Sequence, residues 1–256
     1  LPPGLKSGAN RRKRGEDIEK DDIVLRRGQL LRPQELGLAA SVGRDRLRVY
    51  RRLRAAVFST GDEVCDPSGD SIEGGIYDAN RFAIMGLLDS LGCIVTDLGI
   101  LPDDQNQIAT ALQGAVPVHD IILTSGGVSA GEEDHVKAAV EQNGTLDFWR
   151  LAIKPGRPIA LGQVKGTAFV GLPGNPVAAM VTFMVIARAM ILLLGGATNV
   201  SAPRFPVVAD FDYKKKSGRR EWVRASIARN LAGQVVASKF RSSGAGILTS
   251  MVAADG

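Results

Sequence analysis

A glycine-rich, acidic loop in the middle of the chain combines residue types that could bind a phosphate together with a metal ion. The segment reads LTSGGVSAGEED over residues 123–134. Its adjacent glycines, Gly126 and Gly127, let backbone N–H groups approach a ligand closely, but its three carboxylates would repel a bare phosphate. Mg²⁺ takes carboxylate and phosphate oxygens together, so a phosphate bound with a divalent cation suits the loop. A capped helix after an ordinary strand-to-helix turn is the alternative interpretation.

The elements around this loop indicate that it joins a buried strand to a helix. The apolar run over residues 118–124 is short and β-branched, and residues 132–142 have helical spacing with an acidic first turn. Strand and helix patterns alternate in this way from Arg54 to Gly195. Such alternation predicts an α/β fold, in which a central, mostly parallel sheet forms a three-layer α/β/α domain.

The two ends of the chain differ from this pattern. Residues before about Gly43 are polar and loop-rich, with strand-like pieces and a small helix from Pro33, whereas short β-like pieces separated by turns follow Ala202. We therefore expect three domains: a partial N-terminal region that is linker or β-rich (1–48), the α/β domain (49–198) and a small C-terminal β domain (199–256). Because the chain begins with Leu1 and its last domain is short, we expect a fragment of a longer protein.

Polar clusters accompany five of the predicted strands: four follow the end of a strand, and IKPGRP lies within the strand predicted over residues 151–164. They are STGDEV (59–64), LPDD (101–104), SGGVSAGEED (125–134), IKPGRP (153–158) and GLPGNP (171–176). Ligands of such sheets bind at the carboxyl ends of the strands, so we expect all of these clusters to converge on one edge. Carboxylates for a metal beside Lys and Arg for oxyanions predict a site for phosphate or oxyanion transfer.

The composition argues against a nucleic-acid or membrane partner. The net charge of +5 includes runs such as RRKR and KKKSGRR, but no aromatic platform, zinc spacing or helix-turn-helix pattern accompanies them. The apolar segment 176–194 approaches membrane-spanning length, yet Arg188 lies inside it and Asn175 with Pro176 forms a good helix start, so we interpret it as a buried helix. Two cysteines do not make a disulfide framework, which favours a reduced, cytoplasmic setting.

Seven stretches, in this order, resemble the molybdopterin molybdenumtransferase family, which includes bacterial MoeA and the E domain of gephyrin. They are GANRRKRGEDI, VFSTGDEV, GGIYDANR, LGILPDD, SGGVSAGEEDHVK, FWRLAIKPGRP and GLPGNPVAA, within about residues 8–196. The resemblance implies a molybdopterin-binding, MogA-like central domain. It implies an enzyme of molybdenum cofactor biosynthesis that inserts molybdenum from molybdate into adenylylated molybdopterin and releases AMP. It further implies Mg²⁺ dependence, a homodimer and contact with molybdopterin adenylyltransferase.

Matched position by position, the resemblance implies roles for particular residues. The catalytic positions are matched by Asp17, Glu63, Asp103, Asp134 and Lys154, of which Glu63, Asp103 and Asp134 would bind the metal ion. Substrate contacts would come from Thr60, Gly61, Asp62, Ser125, Gly126, Gly127, Ser129, Arg150, Pro155, Gly156, Arg157, Pro173, Gly174 and Asn175. The segments SGRREWVR and RSSGAG resemble a region that contributes to molybdate binding.

Three alternatives remain open at this level. A molybdopterin adenylyltransferase would share the α/β core, but STGDE, KPGRP and GLPGNP occur together with flanking domains of the other type. A gephyrin-like scaffold that binds peptides is the second, and an inactive pterin-binding fragment is the third, because the family's DGYA-like motif is missing. The chain has no convincing Ser–His–Asp or Cys–His pattern, so we expect electrostatic catalysis, with His119 structural or exposed.

Overall fold

The computed structural model describes residues 4, 8–9, 11–70, 72–127 and 135–256. The chain separates into two compact units, a first unit of residues 1–50 with 196–199 and a second unit of residues 51–195 with 200–256. The helices are α1 Pro33–Ser41, α2 Ala79–Ser90, α3 Gln105–Ala115, α4 His135–Glu141, α5 Pro176–Thr182, α6 Arg188–Leu194 and α7 Thr249–Val252. The strands are β1 Arg54–Thr60, β2 Val64–Cys65, β3 Ile76–Tyr77, β4 Ile94–Leu101, β5 Ile121–Ser125, β6 Gly144–Arg150, β7 Ile153–Lys154, β8 Pro158–Val164, β9 Thr167–Leu172, β10 Val208–Ala209, β11 Arg220–Glu221, β12 Ala225–Arg229 and β13 Val235–Lys239.

The first unit contains α1, which begins at Pro33 as the sequence predicts. Nη2 of Arg32 lies 2.6 Å from Oε1 of Glu35, and the backbone N–H of Arg32 donates to the same carboxylate at 2.9 Å. The side-chain hydrogen bond from Arg32 lowers the pKa of Glu35 to about 2. These contacts hold the first turn of the helix, where the proline ring already has a helical φ angle.

The rest of the first unit is linker-like rather than β-rich, which corrects one part of the sequence prediction. Residues 11–50 form turns and α1, and no strand is present among them. A strand-like piece needs a neighbouring strand to pair its backbone groups. Here turns satisfy the backbone locally, as where the N–H of Asp22 donates to the carbonyl of Glu19 at 3.3 Å.

The second unit is built on a six-stranded sheet with the order β4-β1-β5-β9-β8-β6. The first four strands are parallel, whereas β8 and β6 each run antiparallel to their neighbours. The mostly parallel sheet is confirmed, but the sequence pattern predicted neither β6 nor the reversed direction of β8. A smaller sheet with the order β10-β13-β12 forms the C-terminal β domain, and β11 pairs with β7.

Helices cover both faces of the six-stranded sheet. Along β1, Ala55 and Val57 belong to the buried cluster that includes α2 and the helix that begins at Pro176, whereas Ala56 and Phe58 belong to the cluster with α3 and α4. Both faces of the strand are therefore buried, which explains its continuous apolar run. The expected three-layer α/β/α arrangement is confirmed.

The apolar helix over Pro176–Leu194 packs against one face of this sheet. It consists of α5, a π-helical segment over Phe183–Ala187, and α6. Phe183 is buried in the same cluster as α2 and β1, and Nη1 of Arg188 donates to the carbonyl of Val200 at 2.9 Å. The helix is long and apolar enough to cross a membrane by length and composition alone, and 44% of its most apolar window is buried. Its packing on the sheet supports the interpretation as a core helix.

Candidate functional site

The ends of four parallel strands bring four of the predicted loops to one edge of the sheet. Thr60 at the end of β1 pairs with Leu101 at the end of β4, and Ser125 at the end of β5 pairs with Leu172 at the end of β9. Because β1 and β5 are also neighbours, the four strand ends form one row. The described loop residues that follow these ends are 61–63, 102–104, 126–127 and 173–175.

The fifth polar cluster lies at the same edge of the sheet, although its loop precedes a strand instead of following one. The sequence pattern placed IKPGRP within one strand, but β7 ends at Lys154 and β8 begins at Pro158, so residues 155–157 form a loop. This loop precedes its strand, yet β8 runs antiparallel to β9 and therefore begins where β9 ends. Arg150 at the end of β6 pairs with Pro158, which brings Arg150 to the same edge.

The two aspartates after β4 differ in their contacts. Asp104 is the N-cap of α3, where its side chain accepts a hydrogen bond from the backbone N–H of Gln107 at 2.8 Å. Asp103 precedes it and is exposed. Since a capping carboxylate stabilises its helix start, Asp103 is the residue of this pair that a ligand can approach.

The predicted cation ligands are placed only in part. Glu63 and Asp103 are exposed carboxylates on the loops after adjacent strands, while Asp134 and the predicted substrate contact Ser129 lie outside the described residues. Within the described part of the chain, no three His, Cys, Asp or Glu side chains group as a metal site. Carboxylates on neighbouring loops nevertheless suit Mg²⁺, which often takes one or two of them together with substrate phosphate oxygens.

Buried hydroxyl groups at the same edge lack protein partners. Oγ of Ser59 and Oγ1 of Thr60 and Thr124 are buried, and the described chain offers them no hydrogen-bond partner. An unpaired buried hydroxyl is unfavourable, and each such group needs an explanation. Thr60 is the last residue of β1, so its unpaired hydroxyl lies next to the loop over residues 61–63.

Two of the predicted loop glycines are required by the backbone. A Cβ atom at Gly127, which has φ +59°, would lie 2.5 Å from Cγ2 of Val136. A Cβ atom at Gly156, which has φ +93°, would lie 2.1 Å from Oγ1 of Thr182. A side chain at either position would combine a left-handed backbone with a steric clash, so both loops depend on glycine for their path.

A buried carboxylate from the C-terminal domain lies beside Lys154. β7 and β11 pair in parallel, with Lys154 opposite Glu221, and Nζ of the lysine lies 4.0 Å from Oε2 of the glutamate. The Glu221 side chain is 3% exposed and accepts hydrogen bonds from the Tyr213 hydroxyl and from Nε of Arg219, the latter at 2.6 Å. The sequence predicted a basic region here but gave Glu221 no role, because the pairing of β7 with β11 is not local.

Acidification provides a test of the Glu221 cluster. The hydrogen bonds from Tyr213 and then Arg219 lower the pKa of Glu221 to about 2, whereas an unfolded glutamate has a pKa of about 4.3. A carboxylate with a lowered folded pKa adds stability that is present above the unfolded pKa and is lost as the pH falls toward the folded value. In urea denaturation at pH 6, we therefore expect wild-type protein to have a higher free energy of unfolding than Glu221→Gln. Much of this difference should be lost by pH 3. A difference that stays constant between these pH values would contradict this account.

A cleft next to Lys154 combines cationic and hydroxyl side chains. Its walls are formed by Lys154, Pro155, Tyr213, Trp222, Val223, Arg224, Lys239, Phe240, Ser242 and Ser243. Arg224 is buried, and its guanidinium donates to Oγ of Ser250 at 3.0 Å and to the carbonyl of Gly244 at 3.1 Å. Burial lowers the pKa of Arg224. Among the described residues no carboxylate pairs with Arg224, so its positive charge is not neutralised by a protein anion.

The C-terminal segment RSSGAG contacts the start of α5. The backbone N–H of Val177 donates to the carbonyl of Ala245 at 2.9 Å, and a Cβ atom at Gly246 would lie 3.9 Å from Oδ1 of Asn175. Asn175 is the N-cap of α5, but its side chain makes no capping hydrogen bond. The exposed amide of Asn175 is thus available to a ligand at the junction of the sheet edge and the C-terminal domain.

The remaining predicted residues fall into three groups by exposure. Asp62, Arg150, Arg157 and Gly174 are exposed, whereas Ser125, Pro155 and Pro173 are buried and Gly61 and Gly126 are intermediate. Asp17 is exposed in the first unit. His119 was expected to be structural or exposed, and the structure shows the first. It is buried, with Nδ1 2.8 Å from the carbonyl of Ala115 and Nε2 2.8 Å from Oγ1 of Thr96.

Three protein-family models match successive parts of the chain. The MoeA N-terminal region (domain I and II) matches residues 2–43, the "Probable molybdopterin binding domain" matches residues 56–192, and the MoeA C-terminal region (domain IV) matches residues 206–256. The second of these contains most of the six-stranded sheet and its helices. The third contains the small C-terminal sheet and most of the cleft walls.

Two relatives are similar to this protein over nearly the whole chain. It is 40% identical over 248 residues to the molybdopterin molybdenumtransferase of Haemophilus influenzae, covering 96% of this chain and 61% of that protein. It is 35% identical over 235 residues to molybdopterin molybdenumtransferase 2 of Mycobacterium tuberculosis, covering 90% and 58%. The chain thus spans about three fifths of the length of these relatives.

A solved structure shares the fold as well. The crystal structure of a molybdopterin biosynthesis MoeA protein from Pyrococcus horikoshii OT3 matches with a TM-score of 0.74 at 28% identity, covering 94% of this chain and 57% of that chain. On these grounds the chain belongs to the molybdopterin molybdenumtransferase, or MoeA, family.

Proposed function

We propose that the protein acts as a molybdopterin molybdenumtransferase, inserting molybdenum from molybdate into adenylylated molybdopterin with release of AMP. The observation that carries this proposal is the meeting of carboxylate, glycine-rich and cationic loops at one edge of the sheet. The relatives from Haemophilus influenzae and Mycobacterium tuberculosis are named for this activity, which supports it. The reaction belongs to the biosynthesis of the molybdenum cofactor.

The phosphate end of the adenylylated pterin suits the glycine loops. The strand end at Ser125 leads into Gly126 and Gly127, whose small size lets backbone donors approach an anion. The hydroxyl of Thr60 lies buried without a protein partner at the neighbouring strand end. We assign the substrate phosphates to this part of the edge, with Asn175 on the adjoining loop as a further contact.

We assign molybdate to the cleft beside Lys154, whose free volume of about 10 Å³ would have to widen to admit the ion. The ion is a compact dianion, and the cleft offers the cations Lys154, Arg224 and Lys239 together with the hydroxyls of Ser242 and Ser243. Because no described carboxylate neutralises Arg224, the cleft favours an anion. Molybdate held there would lie near the glycine loops, since RSSGAG contacts the start of α5.

Mg²⁺ is the proposed cofactor, and the exposed carboxylates fit its preference for hard oxygen ligands. Glu63 and Asp103 would hold it, with Asp134 as the third ligand. When bound, the ion supplies positive charge to the phosphate oxygens. Lys154 and Arg157 would offset the charge on the adenylate phosphate as AMP departs, and the carboxylate of Glu221 attracts the ammonium of Lys154 from 4.0 Å.

The proposal extends to the assembly and location of the protein. We propose a homodimer in which Asp17 takes part in catalysis, and contact with the molybdopterin adenylyltransferase whose product is the substrate here. We propose neither a nucleic-acid nor a membrane partner. A cytoplasmic location agrees with the free thiols of Cys65 and Cys93, both of which are buried.

An insertion assay tests this function. Purified protein is mixed with adenylylated molybdopterin, molybdate and Mg²⁺, and AMP release is followed together with molybdenum incorporation. We expect AMP release to require both molybdate and Mg²⁺ and to fall about 10²-fold in Asp103→Asn, which removes a charged cation ligand. Asp45→Asn, at an aspartate whose side chain is 92% exposed in the first unit, serves as the control and should retain activity. AMP release that needs no molybdate, or that is equal in Asp103→Asn, would refute the proposal.

A further inference from the structure

Asn80, in the first turn of α2, joins two loops of the candidate site. Its side-chain nitrogen Nδ2 lies 2.7 Å from Oγ of Ser125 and 2.6 Å from the carbonyl oxygen of Gly174. Ser125 ends β5 and Gly174 follows β9, so a single amide group spans both glycine loops. The carbonyl of Gly174 can only accept a hydrogen bond, which fixes the orientation of the amide with its nitrogen toward the loops.

The start of α2 is held firmly enough to make this contact specific. Asp78 is the N-cap of the helix and accepts a hydrogen bond from the backbone N–H of Arg81 at 3.1 Å. The guanidinium of Arg81 in turn pairs with Asp66, Asp78 and Asp97. Residues on both sides of Asn80 are therefore anchored in a buried ionic cluster, so its side chain reaches the loops from a rigid support.

The hydrogen bonds of the Asn80 amide determine in which direction the Ser125 hydroxyl can donate. The amide nitrogen has two hydrogens, and both are used, one for Gly174 and one for the Ser125 oxygen. Because Ser125 accepts from Asn80, its own hydroxyl hydrogen must be donated elsewhere. The carbonyl of Pro173 is 3.4 Å away, a long distance for an O–H donor, so a ligand oxygen in front of the glycine loop is the better acceptor.

The same contact sets the separation of the two loops. The backbone N–H of Gly126 donates to the carbonyl of Leu172 at 3.2 Å, and a Cβ atom at Gly174 would lie 3.8 Å from Cα of Gly126. The loops thus meet closely at their bases, and the Asn80 amide adds a bridge between Ser125 and Gly174. Without the bridge, this approach would depend on the backbone hydrogen bond from Gly126 to Leu172 and on the long contact from the Ser125 hydroxyl to the Pro173 carbonyl.

We infer that Asn80 is a positioning residue for the adenylylated substrate. It holds the two glycine loops at a fixed separation and orients the Ser125 hydroxyl as a donor to a substrate phosphate oxygen. Asn80 acts through Ser125 and Gly174 rather than by touching the substrate. This role rests on the proposed function, because it names the part of the substrate that the oriented hydroxyl would bind.

Two substitutions at Asn80 separate this role from general stability. Asn80→Ala removes both hydrogen bonds, and Asn80→Asp keeps the size of the side chain but places carboxylate oxygens against the Gly174 carbonyl. Asn106→Asp, at an exposed asparagine in the first turn of α3, is the matched control for added charge near a helix start. All variants are first compared with wild type by thermal unfolding, so that only folded protein is assayed.

The decisive readouts are substrate affinity and the exchange of one backbone amide. In ligand-free protein we expect the Gly126 N–H of both Asn80 variants to exchange with solvent about tenfold faster than in wild type, because its bond to Leu172 opens more often. In turnover we expect KM for adenylylated molybdopterin to rise about tenfold while kcat changes less, because substrate positioning is lost. Asn106→Asp should change neither quantity.

Either of two results would overturn the positioning role. Unchanged exchange at Gly126 would show that the bridge does not hold the loops together, and faster exchange with unchanged KM would show that the bridge has no bearing on the substrate. If wild-type protein fails to release AMP, the proposed function fails. The dissociation constant for adenylylated molybdopterin then replaces KM, and the positioning role stands or falls on that constant and the exchange rate.

Discussion

Replacement of Arg81 by methionine is expected to lower the free energy of unfolding by about 3 kcal/mol, because it removes the cation shared by a buried ionic cluster. The Arg81 side chain is 3% exposed, and its Nε lies 2.9 Å from Oδ2 of Asp78, whose side chain is 2% exposed. Asp66 and Asp97 also pair with Arg81 but are 39% exposed, so water would still solvate part of their charge. The loss should therefore lie at the lower end of the range of about 3–5 kcal/mol for breaking a buried ion pair.

Urea denaturation of three variants measures this effect. Arg81→Lys keeps the charge but lacks the planar fork that reaches three carboxylates, so its loss should be intermediate. Arg46→Met is the control: its side chain is 93% exposed and its Nε lies 3.9 Å from Oδ2 of Asp45, so a loss below about 0.5 kcal/mol is expected. A loss of no more than about 1 kcal/mol in Arg81→Met would mean that the cluster contributes no more than a surface ion pair.

Replacement of Lys154 by methionine is expected to lower kcat/KM for molybdenum insertion by about 10²-fold, the effect of removing one preorganised donor. Lys154 borders the cleft with Arg224, and the buried carboxylate of Glu221 attracts its ammonium before the substrate binds. Methionine keeps much of the length of the side chain but removes its charge. The reaction rate should fall more steeply at low molybdate concentration, because the variant cleft binds the anion less tightly.

The control for Lys154 uses a lysine at the other end of β8. Lys165 lies in the tight turn between β8 and β9 and has φ +47°, so asparagine is the suitable neutral replacement. Lys165→Asn removes one positive charge from the same unit and should leave kcat/KM within about twofold of wild type, because exposed charges far from a site are screened by salt. Equal losses in Lys154→Met and Lys165→Asn would indicate that only the net charge matters. No loss in Lys154→Met would remove the cleft from the proposed site.

The motif GGIYDANR contains Asn80 and Arg81, but it does not reveal the tertiary partners of their side chains. GGIYDANR contributed to the family resemblance, but neither residue received a role from the sequence. Their partners are Asp66, Asp97, Ser125 and Gly174, which lie up to 94 positions away along the chain. A helix start with an Asp cap is a local feature that can be predicted, whereas the side chains that it presents to other loops depend on tertiary contacts.

Apolar periodicity by itself determined the core of this protein. β1 and β5 read as continuous apolar runs because helices cover both of their faces, and the helix from Pro176 packs its buried apolar residues against one face of the same sheet. Glycines and polar residues follow β1, β4, β5 and β9 directly, so their position at the carboxyl edge followed from the parallel arrangement alone. The order of these motifs was also sufficient to indicate the family.

Tertiary structure alone decided which strand ends face the site and which distant residues complete it. The alternation of side chains along a strand is the same in either direction, so the reversed β8 and its partner β6 could not be deduced, and the IKPGRP loop was placed within a strand. Glu221 reaches Lys154 only because β11 pairs with β7, two strands of two residues each. Such short strands carry too little pattern to be recognised. Their pairing depends on backbone hydrogen bonds between segments that are distant in the chain, which local sequence does not encode.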